Sequence, residues 1–92
     1  MKNYEDMSDF DINCRVHAEV MQISGLNSFK AKDYCNNPSD AWPIIVDNEI
    51  SINSWALSDG WRADRFGHFD TEDDKPLRAA MIVFLKMNED KL

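Results

Sequence analysis

Apolar residues recur at helical spacing soon after a polar N-terminal segment. The repeat consists of Ile12, Val16, Val20 and Ile23. Ser8 lies just before the repeat, where a hydroxyl can accept a hydrogen bond from the first helical turn, so the pattern predicts a helix over about residues 9–22. Residues 1–6 lie outside the pattern, and we expect this end of the chain to fray.

A second helical repeat lies near the other end of the chain. Pro76 opens it, since proline is tolerated in the first turn of a helix. Its inward stripe consists of Leu77, Ala80, Met81, Phe84 and Leu85. Apolar residues from 79 to 85 also extend around most of the cylinder, so this helix is either the central element of the core or is covered by a partner, including a second copy of the chain. We expect residues 89–92 to fray.

A third helix is predicted in the middle of the chain, where prolines flank a tryptophan. Asn37 can cap it, and Pro38 suits its first position because the N–H that proline lacks would be unbonded there anyway. Its expected apolar face consists of Ala41, Trp42, Ile44 and Ile45. Pro43 lies beyond the first turn, where proline disturbs helix geometry, so we expect a kink or a short first turn.

Alternating apolar and polar residues after residue 50 predict a β-hairpin. Its strands would run over residues 50–57 and 61–66, joined by the Asp59-Gly60 pair, which favours tight two-residue turns. This register pairs Ala56 with Ala63 and puts apolar residues on both faces of the ribbon. We therefore expect helices to cover the sheet on both sides.

Two further segments complete the predicted architecture. Residues 26–32 alternate weakly and are a candidate further strand at the sheet edge, while the acidic residues 67–75 are predicted to form a loop. The whole pattern predicts a single α+β domain over residues 1–92. A small antiparallel sheet, consisting of the hairpin and at most one more strand, would pack between about three helices.

Composition and charge narrow the classes of function. The chain has 92 residues and a net charge of −7, which disfavours binding to nucleic acid or anionic membranes because both carry negative charge. The longest apolar run, Ala79 to Leu85, is far shorter than the ~20 residues of a transmembrane helix. With two cysteines and no secretory leader, we expect a cytoplasmic protein with reduced thiols.

The chain does not show the residue spacings of a familiar catalytic or metal site. Cys14 and His17 would need Cys35 and His68 to complete a metal site, whereas zinc sites usually show two paired spacings. Cys35 could be a nucleophile near a helix N-terminus, but the sequence ties no histidine to it. The acidic run 70–74 lacks the glycine and glutamate positions of an EF-hand. We therefore predict no catalytic, cofactor-binding or metal-binding residues.

The most distinctive motif in the chain is YCNNPSDAWPII at residues 34–45. It resembles the signature of the NinX-like family of bacteriophage and prophage proteins, and the segments 8–13, 50–52 and 76–85 are similar to further blocks of that family. The resemblance implies an accessory protein of a temperate phage in the bacterial cytoplasm, with a helix–sheet–helix sandwich. It implies no reaction and no site residues. The chain departs from the family pattern at Lys75, where asparagine would cap the last helix.

Two hypotheses about function follow from these observations. Tyr34, Cys35 and Asn36 are the part of the motif without a structural role in this interpretation. Together with Asp40 and Trp61 they form a candidate interaction surface. This surface favours a non-enzymatic protein that binds a host or phage protein, and a homodimer is a further option. The alternative is a small enzyme or ligand-binding domain that uses the Tyr34–Asn37 segment at a helix N-terminus.

Overall fold

The computed structural model describes residues 3–21, 31–54 and 60–89. Along the chain these residues form a short 3-10 turn at Tyr4–Asp6, α1 at Asp9–Met21, α2 at Pro38–Asp47, β1 at Ser51–Ser54, β2 at Trp61–Arg65, β3 at His68–Asp73 and α3 at Pro76–Glu89. The three predicted helices are present near the predicted limits. None of these helices combines the length and the apolarity that a membrane crossing requires. The candidate strand at 26–32 and the chain ends at 1–2 and 90–92 lie mostly outside the described residues.

The start of the chain is built into the fold. Ser8 Oγ accepts a hydrogen bond from the Asp11 N–H at 3.1 Å, so the predicted cap of α1 is confirmed. The prediction that residues 1–6 fray is wrong for residues 4–6, which form the 3-10 turn and place Tyr4 in the hydrophobic core. A single tyrosine carries no periodic signal, so its burial could not be predicted from the pattern.

The second helix begins as predicted but exposes its tryptophan. The Asn37 side chain accepts a hydrogen bond from the Ser39 N–H at 3.0 Å, which confirms the predicted cap. The helix then continues through Pro43. Its buried face consists of Ala41, Ile44 and Ile45. The prediction that Trp42 joins this face is wrong, because α3 covers one side of α2 and Trp42 is 60% exposed on another.

The first two strands pair in a different register from the predicted one. β1 and β2 are antiparallel, with Ile52 opposite Ala63 and Ser54 opposite Trp61. The predicted pairing of Ala56 with Ala63 is therefore wrong by four residues, and the predicted turn at Asp59 lies outside the described residues. Because the shift is an even number, each side chain keeps its face of the sheet. Ala63 is buried beneath α3 in this register.

A third strand replaces the predicted acidic loop at residues 67–75. Phe66 and Gly67 have positive φ angles of 51° and 82°, so they form a two-residue turn of the kind that joins twisted antiparallel strands. β3 pairs with β2, and Thr71 lies opposite Ala63 and is buried. Its outward positions are His68, Asp70 and Glu72. An edge strand with charged side chains on its solvent face has an amino-acid composition that is also typical of a loop. This explains why the sequence predicted a loop at residues 67–75.

The last helix, α3, lies at the centre of the described fold. It packs against all three strands and against α1 and α2, and every residue from 78 to 85 is buried. The predicted α+β class, with three helices and a small antiparallel sheet, is confirmed. Because α3 has neighbours on several sides, the broad apolarity of residues 79–85 is explained within one chain.

In the described residues, α3 packs against one face of the sheet and the opposite face is polar. Asn53, Arg62 and Glu72 form one row across the three strands, on the face opposite the buried Ala63, and this row is exposed or half-buried. Such alternation of inward apolar and outward polar positions is typical of a sheet covered by helices on one face. The prediction of a two-sided cover also rested on residues 55–57, which lie outside the described ranges.

Candidate functional site

A polar cluster joins the turn before α2 to the first turns of α1 and α3. Asn13, which is buried on α1, donates from Nδ2 to Asp33 Oδ1 at 2.9 Å and accepts at Oδ1 from the Cys35 N–H at 2.9 Å. A buried amide destabilises a fold unless its donor and acceptor are both bonded. Asn13 therefore holds the turn at residues 33–36 against α1.

Asn36 forms the outer part of this cluster. Its Nδ2 donates to Asp33 at 3.1 Å and to Asp9 at 3.2 Å, and its Oδ1 accepts from Lys75 Nζ at 3.0 Å. Lys75 also forms an ion pair with Asp9. The hydrogen bond from Lys75 holds the pKa of the Asp9 carboxyl below its ordinary value, against the opposing effect of burial. Asn36 is thus exposed but engaged by α1 and by the segment before α3.

The innermost member of the cluster is Arg78, in the first turn of α3. Its side chain is largely buried, and the whole residue is 8% exposed. Nε donates to Asp73 at 2.9 Å and Nη1 donates to Asp9 at 2.8 Å. Nη2 donates to backbone carbonyls of the N-terminal segment, at Tyr4, Glu5 and Met7. Every guanidinium nitrogen therefore has an acceptor within the chain, and the side chain fastens α3 to β3, α1 and the N-terminal turn.

Tyr34 and Cys35, which belong to the predicted interaction surface, are buried. Tyr34 is 3% exposed, and its hydroxyl lies 3.3 Å from Nδ1 of His17 on α1. Cys35 is 1% exposed, and its thiol lies 3.8 Å from the Asp9 carbonyl oxygen. Burial raises the pKa of the Cys35 thiol to about 12, and the Asp9 carboxylate acts in the same direction. An activated nucleophile needs the opposite shift.

The other residues of the predicted surface reach solvent from different elements. Asn36 is exposed before α2, Asp40 is half-buried in its first turn and Trp61 is exposed on β2. Burial raises the pKa of the Tyr34 hydroxyl, and the Asp40 carboxylate adds to this effect. The predicted surface is therefore divided into a buried pair with structural contacts and three residues that solvent can reach.

The candidate metal ligands do not assemble in the described parts of the chain. Within those ranges, no group of three or more His, Cys, Asp or Glu side chains is positioned to hold a metal ion. Cys14 is half-buried on α1. Cys35 belongs to the polar cluster, and His17 lies at its border beside the Tyr34 hydroxyl. His68 is exposed on β3.

The outer face of α2 carries an exposed apolar group that the sequence analysis did not single out. Trp42 is 60% exposed and Val46 is 53% exposed, and Pro43 is exposed as well. Residues three and four positions apart are neighbours on a helix surface, so Val46 lies next to both of the others. We call Trp42, Pro43 and Val46 the α2 strip. The sequence signal for it was a second apolar spacing on α2, offset from Ala41, Ile44 and Ile45.

Acidic residues border the α2 strip. Asp40 and Asp47 are seven positions apart, so they lie about two turns apart on one side of the helix. Pro43 is three residues from one and four from the other, so it is a neighbour of both. No lysine or arginine occurs from residue 33 to residue 61. The strip is therefore an apolar surface with an acidic edge.

Other large apolar residues are exposed elsewhere. Phe10 is exposed on α1, and Val20 and Met21 are exposed at its end, directly before residues 22–30, which are outside the described ranges. Phe66 is exposed in the turn between β2 and β3, with the Arg65 guanidinium 4.9 Å from its ring centre. The α2 strip differs from these because its members are neighbours on one fully described helix and share an acidic edge.

Comparison with known proteins identifies a phage family. The family model described as Bacteriophage P22, NinX matches residues 3–88, a range that contains both the polar cluster and the α2 strip. The resemblance found in the sequence is therefore confirmed. No curated protein and no solved structure gives a significant match.

Proposed function

Because the chain belongs to the NinX family of bacteriophage P22, we propose that it is a phage accessory protein that binds another protein, of phage or host origin, without catalysing a reaction. Its place of action is the cytoplasm of the bacterial cell that carries the phage. This proposal favours the first of the two hypotheses drawn from the sequence. It moves the centre of the contact surface from Tyr34, Cys35 and Asn36 to the outer face of α2, which Asp40 borders.

The polar cluster supports a non-enzymatic role because its reactive groups are engaged within the chain. Burial raises the pKa of Cys35 to about 12, so a negligible fraction of this thiol is thiolate at neutral pH. Arg78 and Asn36 are bonded to neighbouring residues and backbone carbonyls. A small enzyme or ligand-binding domain built on this segment would need such groups to face a substrate.

The charge pattern supports a protein partner over a nucleic acid. The chain carries a net charge of −7, and the phosphate backbone of DNA or RNA repels such a surface. The arginines that follow Trp61 are both in ion pairs, Arg62 with Asp70 and Arg65 with Glu49. The aromatic and cationic residues of β2 therefore lack the excess positive charge that a single-stranded nucleic acid would need.

The exposure of the α2 strip is the observation that carries the proposal. Contiguous exposed apolar residues on small proteins often mark interaction sites, and tryptophan is enriched among the residues that dominate binding energy. The opposite face of the same helix is anchored by the buried Ile44 and Ile45. Trp42 and Val46 are thus presented on a rigid support, which limits the entropy lost on binding.

Quantitative affinity capture from phage-infected cells tests the proposal. A tagged chain is compared with a variant carrying Trp42→Gln and Val46→Gln. We expect at least one protein to be enriched with the unmodified chain and to be lost with the double variant, because the substitutions remove the apolar contacts while leaving the buried face of α2 intact.

Phe10→Gln is the matched control, since it removes an exposed aromatic residue from α1. Circular dichroism and thermal melts verify that each variant is folded before capture. Equal capture by the double variant and by the unmodified chain, or no protein enriched above the tag alone, would contradict the proposal.

A further inference from the structure

We propose that the α2 strip docks a basic, apolar segment of the partner protein, one in which lysine or arginine flanks apolar side chains. The inference rests on the proposed function, because it names the chemistry of the partner. It concerns the α2 strip and its acidic edge at Asp40 and Asp47, and it involves no residue of the polar cluster.

The apolar part of the occupant follows from the shape of α2. The helix uses Ala41, Ile44 and Ile45 to pack into the core, and Trp42 and Val46 lie on the outward side, each more than half exposed. Water contact with an indole and an isopropyl group is unfavourable, and burial beneath another apolar surface removes it. The partner segment must therefore offer apolar side chains.

A hydrogen-bond acceptor lies beside these apolar groups. Pro43 has no N–H, so it cannot donate to the Ser39 carbonyl, which the regular helical pattern would pair with it. Ser39 is exposed at the same side of the helix. Its carbonyl oxygen therefore lacks the donor that the regular helical pattern would supply from position 43.

The basic part of the occupant follows from the charges around the strip. Asp40 and Asp47 flank Pro43, and from residue 33 to residue 61 the chain contains five acidic residues and no lysine or arginine. A cation placed at this edge meets carboxylates without a competing positive charge nearby in sequence. Opposite charges across an interface raise the association rate and exclude partners of like charge.

The same charges argue against a second copy of this chain as the occupant. Each copy carries a net charge of −7. In a two-fold interface through the α2 strip, the same patch meets itself, so Asp40 and Asp47 of both copies would be brought together. Like charges at an interface destabilise it, whereas a basic segment meets no such repulsion.

Site-specific photo-cross-linking in phage-infected cells tests the inference with the full chain. A benzoylphenylalanine replaces Val46, which is exposed, and the cross-linked peptides are identified by mass spectrometry. The control position is Glu72, which is exposed on the open face of the sheet. We expect cross-links from position 46 to a protein segment with net positive charge and apolar residues, and fewer from position 72.

A charge variant adds a second readout. Asp40→Asn with Asp47→Asn should lower the cross-linking yield at position 46 by about fivefold, the effect of removing two ion pairs at the solvent-accessible edge of about 0.5 kcal/mol each. Asp11→Asn with Glu19→Gln removes the same charge from α1 and should leave the yield within about twofold. Thermal melts verify that both variants are folded.

Each remaining outcome overturns the inference in a distinguishable way. Cross-links to neutral or acidic segments, to the chain itself or to a second copy would each exclude a basic partner segment. A yield that is unchanged when Asp40 and Asp47 are neutralised would exclude the acidic edge. Partner cross-links from position 72 but not from position 46 would overturn this inference and leave the proposed function standing. No partner at either position, together with a negative capture experiment, would overturn both.

Discussion

Residues 34–37 and residues 42–46 are close neighbours in sequence but differ in almost every structural respect. The first segment is polar in composition, yet Tyr34 and Cys35 are buried and Asn36 is bonded to other elements. The second segment is apolar, yet Trp42 and Val46 are exposed. From the sequence we expected Tyr34 and Cys35 to belong to an interaction surface and Trp42 to pack in the core. In the structure Tyr34 and Cys35 are buried and Trp42 is exposed.

Two properties decide whether such residues are buried: the pairing of their polar groups and their coverage by another element. A polar residue can be buried when its donors and acceptors are all paired, as Asn13 shows by bonding both Asp33 and the Cys35 N–H. An apolar residue on a short helix is buried only when another element covers its side of the helix. The hydrogen bonds of a polar side chain and the coverage of an apolar one both arise only when the chain folds. Here α1 supplies hydrogen-bond partners for the first segment, and α3 covers the inner side of α2.

Substitution of Arg78 tests the structural half of the comparison and should have the largest effect. Arg78→Met should lower the free energy of unfolding by about 3 kcal/mol, because it leaves Asp73, Asp9 and several backbone carbonyls without their donor. Urea denaturation followed by tryptophan fluorescence measures the loss. Arg62→Met, on the open sheet face, breaks an exposed pair with Asp70 and should lower it by less than about 1 kcal/mol. Equal losses would mean that the cluster is not a structural centre.

The reactivity of Cys35 tests whether the first segment is inert. In a Cys14→Ser variant at pH 8, Cys35 should be alkylated at least about 100-fold more slowly in the folded protein than in urea, since burial both restricts access and raises the thiol pKa. The rate should rise with pH throughout the stable range, because the folded pKa lies at about 12. A fast rate with an acid-shifted pH profile would instead revive the hypothesis of an enzyme.

The last residue of the first segment, Asn37, provides a smaller test. Asn37→Ala should lower the free energy of unfolding by about 1 kcal/mol, because it removes the hydrogen bond to the Ser39 N–H at the start of α2. Asn53→Ala, at an exposed position of β1, serves as the control and should change it by less than about 0.5 kcal/mol. If both variants have the same denaturation midpoint, Pro38 alone is sufficient to start the helix.

The smallest effect is expected on the α2 strip itself. Val46→Ala should change the free energy of unfolding by no more than about 0.5 kcal/mol, because Val46 is exposed and alanine is the better helix former. Ile45→Ala, its buried neighbour in sequence, should lower the free energy by about 3 kcal/mol through the cavity it leaves. Thermal or urea denaturation measures both. A loss of several kcal/mol for Val46→Ala would place this residue in the core and remove the basis of the docking surface.

The parts of the fold that could be predicted depend on neighbours along the chain. The caps at Ser8 and Asn37 and the three helices follow from hydrogen bonds and spacings within a few residues. The pairing of β1 with β2 could not be predicted in the same way, because the local preference of Asp59-Gly60 for a tight turn competes with the pairing of Ile52 and Ala63 beneath α3. Burial of distant residues is stronger than a turn preference, so the long-range contact determines the register.

The fold class, the three helices and the family could be inferred from the amino-acid chain alone, since they depend on local spacing and on a motif that can be read directly. The burial of Tyr34 and Cys35 and the exposure of Trp42 and Val46 could be seen only in the folded structure. The partners of Cys35 and Asn36 are Asp9 and Asn13 on α1 and Lys75 directly before α3. The hydrogen bonds and the burial of a side chain depend on residues that are distant in sequence and close in space. These residues come together only when the chain folds.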